Sequence, residues 1–219
     1  MKKNMYSLIL AEDVVNEIDR LAETEGTNRS NLINQILAGY VSVTTPEKRI
    51  SDVFRRIESL MQGAASELPV FFANHDNTLS IKSALAYRYR PTIRYEVELY
   101  RVPKGTIGEL KVNFRTQAPE LLAALTEFFR LWRNMEEIYV VPFFGDNKID
   151  YALEENKWTR SLCLPKDTEY APDALGRAIT DYVKVFDKLL KKHLSGGYKN
   201  ARGLENDYLA ALNGGMLMI

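Results

Sequence analysis

The sequence predicts an α+β chain, and three features carry that expectation. Apolar residues recur at helical spacing through residues 12–61, alternation with period two takes over from Asn77 to Thr116, and long amphipathic stretches follow at 118–138 and 172–194. Helices and strands that are segregated along the chain, rather than alternating one by one, favour an antiparallel sheet with helices on one side of it.

The first element is short. "MYSLILAED", Met5 to Asp13, reads as a strand running straight into an acidic helix start. No other strand lies near it in the chain, so its backbone hydrogen bonds need a partner from elsewhere. Val14, Ile18, Leu21 and Ala22 then keep helical register up to Gly26, a helix stop. Asn28 is placed as the N-cap of a second helix whose broad apolar face is Leu32, Ile33, Ile36, Leu37, Tyr40 and Val41. Thr44-Thr45-Pro46 marks a boundary, because proline disfavours helix at Thr45 and suits the first turn of the next one. That third helix turns Ile50, Val53, Phe54, Ile57, Leu60 and Met61 to one side and is expected to link two parts of the chain.

In the alternating region, Leu79, Ile81, Leu85, Tyr87 and Tyr89 share a face, as do Ile93, Tyr95, Val97 and Leu99 after a turn at Arg90-Pro91-Thr92. Leu110, Val112 and Phe114 continue the pattern in a third strand. A tight turn over Pro103 to Gly108 would set Glu96 near Arg115 and Lys111 near Tyr100. The covering helices repeat Leu121, Leu125, Phe128, Trp132 and Met135, and then Leu175, Ile179, Tyr182, Phe186 and Leu190. Two short strands are expected between Tyr139 and Leu164. The Gly-rich end from Ser195 reads as a mobile tail with one short helix at Glu205 to Leu212. The expected layout is therefore 1–44, a linker helix at 45–66, an α+β domain at 67–194 and a flexible tail at 195–219.

Composition excludes several classes. With 219 residues, 46% hydrophobic and 26% charged, the chain can bury a core of its own and is not of disordered or fibrous type. Cys163 is the single cysteine, which rules out an internal disulfide or a cysteine zinc cluster and suits a reducing compartment. No run approaches the roughly 20 apolar residues of a membrane span, and acids follow soon after Lys2 and Lys3, so a cytoplasmic protein without membrane association is expected. Basic and acidic residues balance at 29 each. Within residues 1–44, Lys2, Lys3, Arg20 and Arg29 face six acids, a balance that opposes a purely electrostatic grip on DNA.

Strand, helix, Gly-turn and helix within the first 44 residues, with "LAEDV" at one junction and "GTNRSNLI" at the other, resembles the ribbon-helix-helix family of repressors. The resemblance covers about a fifth of the chain. It implies a homodimer through residues 5–41, possibly assembling to a tetramer, in which the strand pairs with its copy. Tyr6, Leu8 and Leu10 would then point into a shared core, and Met5, Ser7 and Ile9 outward to base edges in the major groove of a palindromic operator. Asn28, Arg29 and Ser30 would hold a phosphate at a helix N-terminus, with Lys2 and Lys3 flanking the ribbon. The sequence departs from the family at Met5 and Ile9, where relatives carry hydrogen-bonding side chains. A dimerisation clasp without DNA is the competing reading of that departure.

Other constellations carry less. Arg88, Arg90, Arg94, Lys111 and Arg115 gather on the charged sheet face as a possible ligand or partner surface, and solvated ion pairs explain them equally well. Glu109-x-Lys111 with Glu98 upstream resembles the PD-(D/E)xK nucleases, where two carboxylates hold Mg2+. No Pro-Asp precedes it, however, and Glu109 is expected at a turn. His75 falls in a loop and His193 in a last helical turn. Cys163, Trp132 and Phe128-Phe129 read as core. No nucleophile elbow, P-loop or metal-ligand spacing is present, so no catalytic residue, metal or cofactor is expected.

Overall fold

The computed structural model describes residues 5–62, 70–72, 77–85 and 91–219. The chain divides into two compact units, Met1–Arg49 and Ile50–Ile219.

The first unit holds α1 (Glu12–Thr24) and α2 (Arg29–Tyr40). Gly26 ends α1 at φ +64°, and the Thr27 amide donates back to the Ala22 carbonyl (2.8 Å), closing the terminus as only a left-handed residue permits. The Asn28 side chain accepts from the Asn31 amide (3.0 Å), the N-cap that the sequence indicates. Between the helices lies a small core of Ile18, Ala22 and Leu32, with Leu21 and Ile33 against it. The strand expected at Met5 to Leu10 is not formed within the chain. A strand exists through its ladder, and no segment among the described residues pairs with this one.

Helix α3 (Pro46–Met61) begins in the first unit and continues from Ile50 in the second, where it precedes a six-stranded, wholly antiparallel sheet. Its strands are β1 (Val70–Phe72), β2 (Thr78–Ala84), β3 (Thr92–Lys104), β4 (Thr106–Phe114), β5 (Tyr151–Glu154) and β6 (Lys157–Cys163), in the order β1-β2-β3-β4-β6-β5. The α+β class holds. Helices α4 (Pro119–Tyr139) and α5 (Pro172–Leu194) cover one face, burying Leu121, Leu125, Phe128, Trp132, Ile179, Phe186 and Leu190 against Ile81, Tyr95, Val97, Leu110, Val112 and Trp158. Phe186 sits at the centre of this core, within 4.7 Å of Trp132 and 5.2 Å of Trp158 between ring centroids. Trp132, Phe128, Phe129 and Cys163 are core residues. Tyr87 and Tyr89 lie outside the described residues.

Three expectations need correction. The strand register differs: Glu96 stands opposite Lys111 and Leu99 opposite Gly108, not Glu96 beside Arg115. The hairpin pivots at Gly105 (φ +83°), and Tyr100 to Pro103 bulge opposite Ile107 alone, which shifts every pair below. Gly108 holds that register, because a Cβ there would lie 2.1 Å from the Glu98 carbonyl oxygen. Gly108→Ala is expected to cost about 1–3 kcal/mol in urea unfolding; an unchanged midpoint would show that the strands part without cost.

The linker expected at 45–66 is more than a connector, since Ile50, Val53, Phe54, Ile57 and Met61 are all in the core of the second unit. Lys184 Nζ donates to the carbonyl of Leu60 at its far end (2.8 Å). The tail at 195–219 also differs from a flexible segment. It contains α6 (Ala201–Asn213), longer than the helix expected, with Leu204 and Tyr208 buried and Ile219 only 1% exposed. Tyr139 donates to Glu205 (2.7 Å), Lys192 to Asp207 (2.6 Å), and Tyr170 to the Met218 carbonyl (3.1 Å). Tyr208 and Leu204 fall four apart, so one helical face meets the core despite the glycines around it.

Candidate nucleic-acid interface

The site begins with a contradiction of solubility. Met5, Tyr6, Leu8, Ile9 and Leu10 are apolar and exposed, and so are Val14, Ile36, Leu37, Tyr40 and Val41. A unit that buries chiefly Ile18, Ala22 and Leu32 has too small a core to order two helices by itself. Exposure along the leading segment also alternates. Met5 and Ile9 are open at 98% and 103%, whereas Tyr6, Leu8 and Leu10 fall to 81%, 59% and 39%. All six residues of the segment are exposed, Leu8 and Leu10 least so of its large apolar side chains.

At the start of α2, Asn28, Arg29 and Ser30 are all exposed. Asn28 occupies the Asn31 amide, which leaves the earlier amides of the first turn facing outward. Arg29 is already engaged: its Nε donates to Asp19 Oδ1 (2.6 Å), and its Nη2 pairs with Asp19 Oδ2. This hydrogen-bonded pair lowers the Asp19 pKa and raises that of Arg29. Arg20 is likewise paired, with Glu17 of its own helix. Sequence alone placed Arg29 at the anion-binding end but missed Asp19, ten residues earlier on the other helix. Lys2 and Lys3 lie outside the described residues.

The charged sheet face is largely self-neutralised. Arg94 reaches Glu96 (3.5 Å), and Lys111 lies 2.6 Å from Glu98 and 3.6 Å from Glu109. Burial, the Glu109 hydrogen bond and the neighbouring carboxylates push the Tyr100 hydroxyl up to about 12. Arg115 is exposed beside an open depression of about 860 Å3 that Lys82, Asn113 and Lys157 also border. Arg88, Arg90 and His75 lie outside the described residues. Glu109 is not at a turn: it sits within β4, directly opposite Glu98, because the hairpin pivots four residues before it, at Gly105. Lys111 bridges these carboxylates, and among the described residues no group of three or more His, Cys, Asp or Glu side chains could hold a metal ion.

The largest polar feature that sequence reasoning overlooked is internal. Arg160 on β6 and Glu136 on α4 are both fully buried, with Arg160 Nε 3.0 Å from each carboxylate oxygen and Nη1 donating to the Ser161 carbonyl (3.1 Å). The guanidinium lies 4.7 Å over the Tyr182 ring, and the Tyr182 hydroxyl accepts from Trp132 Nε1 (2.8 Å). Burial opposes the charge on Arg160, but the Glu136 carboxylate and the surrounding tyrosines outweigh it and raise the pKa. The signal was present: Glu136 follows Trp132 by four in the apolar stripe of α4, and Arg160 stands between the inward Trp158 and Leu162 of β6.

Compared with known proteins, the chain matches no family model, no curated protein and no solved structure. No helix among the described residues is long and apolar enough to cross a membrane.

Proposed function

We propose that the protein is a homodimeric, ribbon-helix-helix type transcriptional regulator of the cytoplasm. In this reading, Met5 to Leu10 of two chains pair as an antiparallel ribbon and enter the major groove of a palindromic operator. The observation that carries the reading is the state of the first unit, where among the described residues the leading segment has no ladder partner and its apolar side chains, Tyr6, Leu8 and Leu10 among them, are exposed. A second copy supplies both at once, since a two-fold axis brings the same apolar patch to itself. The second unit then serves effector sensing or assembly, including a tetramer. No catalytic step belongs to this reading.

Asn28, Arg29 and Ser30 contact phosphate at the start of α2, and DNA binding exchanges the Asp19 carboxylate for a phosphate on Arg29. Arg29→Ala is therefore expected to weaken binding by a similar factor on all duplexes, and to flatten the slope of log K against log salt by about 0.9 per phosphate lost. Fluorescence anisotropy titrations across a salt series read both. A loss confined to one operator sequence would assign Arg29 to base reading instead.

The pairing of Arg20 and Arg29 within the unit favours a second reading, a dimeric interaction module that binds no DNA. Its signature is a stable dimer with no affinity for duplexes at low salt. Plasmid cleavage with Mg2+ would revive the nuclease alternative and assign Glu98, Glu109 and Lys111 to it.

A further inference from the structure

Resting on the ribbon reading above, we infer that the protein selects its DNA through the C5-methyl groups of thymine, read by Met5 and Ile9. These two side chains are the most exposed large apolar groups of the leading segment, and in a paired ribbon the two-residue period would put them on one side with Ser7 between them. Neither can donate or accept a hydrogen bond. In the major groove, each base pair shows donors and acceptors that polar side chains distinguish, but only thymine shows an apolar group. An apolar pair therefore gains from a thymine methyl and loses by desolvating the polar edge of any other base.

Geometry adds a spacing. Four residues along a strand span about 13 Å at roughly 3.3 Å each, which matches about four base steps at roughly 3.4 Å along one strand of the duplex. Met5 and Ile9 of one chain thus reach methyls about four steps apart, and the antiparallel partner repeats the pair in reverse. Ser7 faces the steps between them with one hydroxyl, which both donates and accepts and so tolerates any base. Double-stranded RNA is excluded as a partner in this mode, because its major groove is too narrow for side chains and uracil lacks the methyl.

The test uses the whole chain and duplexes that differ in a single group. Alternating d(A-T) and d(A-U) polymers present the same donors and acceptors, so any difference between them reports the methyl. At the free energy of one buried CH2-sized group, each methyl is worth about fourfold in affinity. Contacts from both subunits make the expected preference for d(A-T) at least about tenfold. In Met5→Ser/Ile9→Ser, both sites of which are solvent-exposed in the folded chain, the preference should vanish while residual salt-dependent binding to both polymers remains. Equal binding of the two polymers by the unaltered protein would overturn the inference and leave the DNA-binding reading in place. Discrimination that survives the double substitution would overturn the assignment to Met5 and Ile9. Failure to bind either polymer, or mixed-sequence DNA, at low salt would overturn the inference and the reading together.

Discussion

Glu136→Ala is expected to destabilise the second unit by about 3–5 kcal/mol, the typical cost of stranding one partner of a buried ion pair. The fully buried Arg160 guanidinium would keep its charge with only the Ser161 carbonyl and the Tyr182 face for company. The hydroxyls of Tyr151 and Tyr208 nearby make no hydrogen bond in the folded chain, and a neutral hydroxyl that turned to the guanidinium would replace only part of the lost carboxylate charge. Replacing both partners, as Glu136→Leu with Arg160→Met, should recover most of the stability, since two apolar side chains of similar size remove the charge as well as its partner. Urea unfolding followed by tryptophan fluorescence is the measurement, with Trp132 and Trp158 in the same core as reporters. A single substitution costing less than about 1 kcal/mol would mean that water reaches the guanidinium and that the pair is not truly desolvated.

Leu8→Asp should split the proposed dimer while leaving the second unit folded. In the isolated chain Leu8 is more than half exposed, so a carboxylate there meets water and costs little. In the paired ribbon the same position faces the shared core, and two carboxylates, one from each subunit, would be buried near each other without cations. A dissociation constant at least about a hundredfold higher is expected, equivalent to about 3 kcal/mol. Sedimentation should report half the mass, while the far-ultraviolet dichroism and melting of the second unit stay as they were. Ser7→Asp, on the odd-numbered side, should keep the dimer and weaken DNA binding by repelling phosphate. An intact dimer in Leu8→Asp would reverse the register, and with it the division between core and groove residues.

How much of this could be read beforehand depends on the range of the interaction concerned. The apolar inward positions expected in the alternating region are all buried over the described residues, Leu79, Ile81, Leu85, Ile93, Tyr95, Val97, Leu99, Leu110, Val112 and Phe114, whereas the buried Ser80 and Ser83 of β2 were not anticipated. The caps at Gly26 and Asn28 and the stripes of α4 and α5 were equally plain. The hairpin register was not, because three further residues of β3 are absorbed in a bulge that no local pattern announces. The C-terminal segment looked mobile for its glycines, yet Leu204, Tyr208 and Ile219 are buried, with Tyr208 against Trp132 of α4. In the candidate site, Arg29 was visible as a helix-start cation, but its engagement by Asp19 required α1 and α2 to be laid side by side.

The type of most elements, their buried faces and the apolar character of Met5 and Ile9 can thus be read from residue pattern alone. All of these follow from the fixed side-chain periods of helix and strand and from the turn chemistry of single residues. The pairing of Glu96 with Lys111, the burial of Arg160 on Glu136, the docking of α6 and the capture of Arg29 by Asp19 emerge only on folding. Each of these brings together groups on different elements, and the free energy of such a contact belongs to the assembled pair of surfaces and is written in neither segment alone.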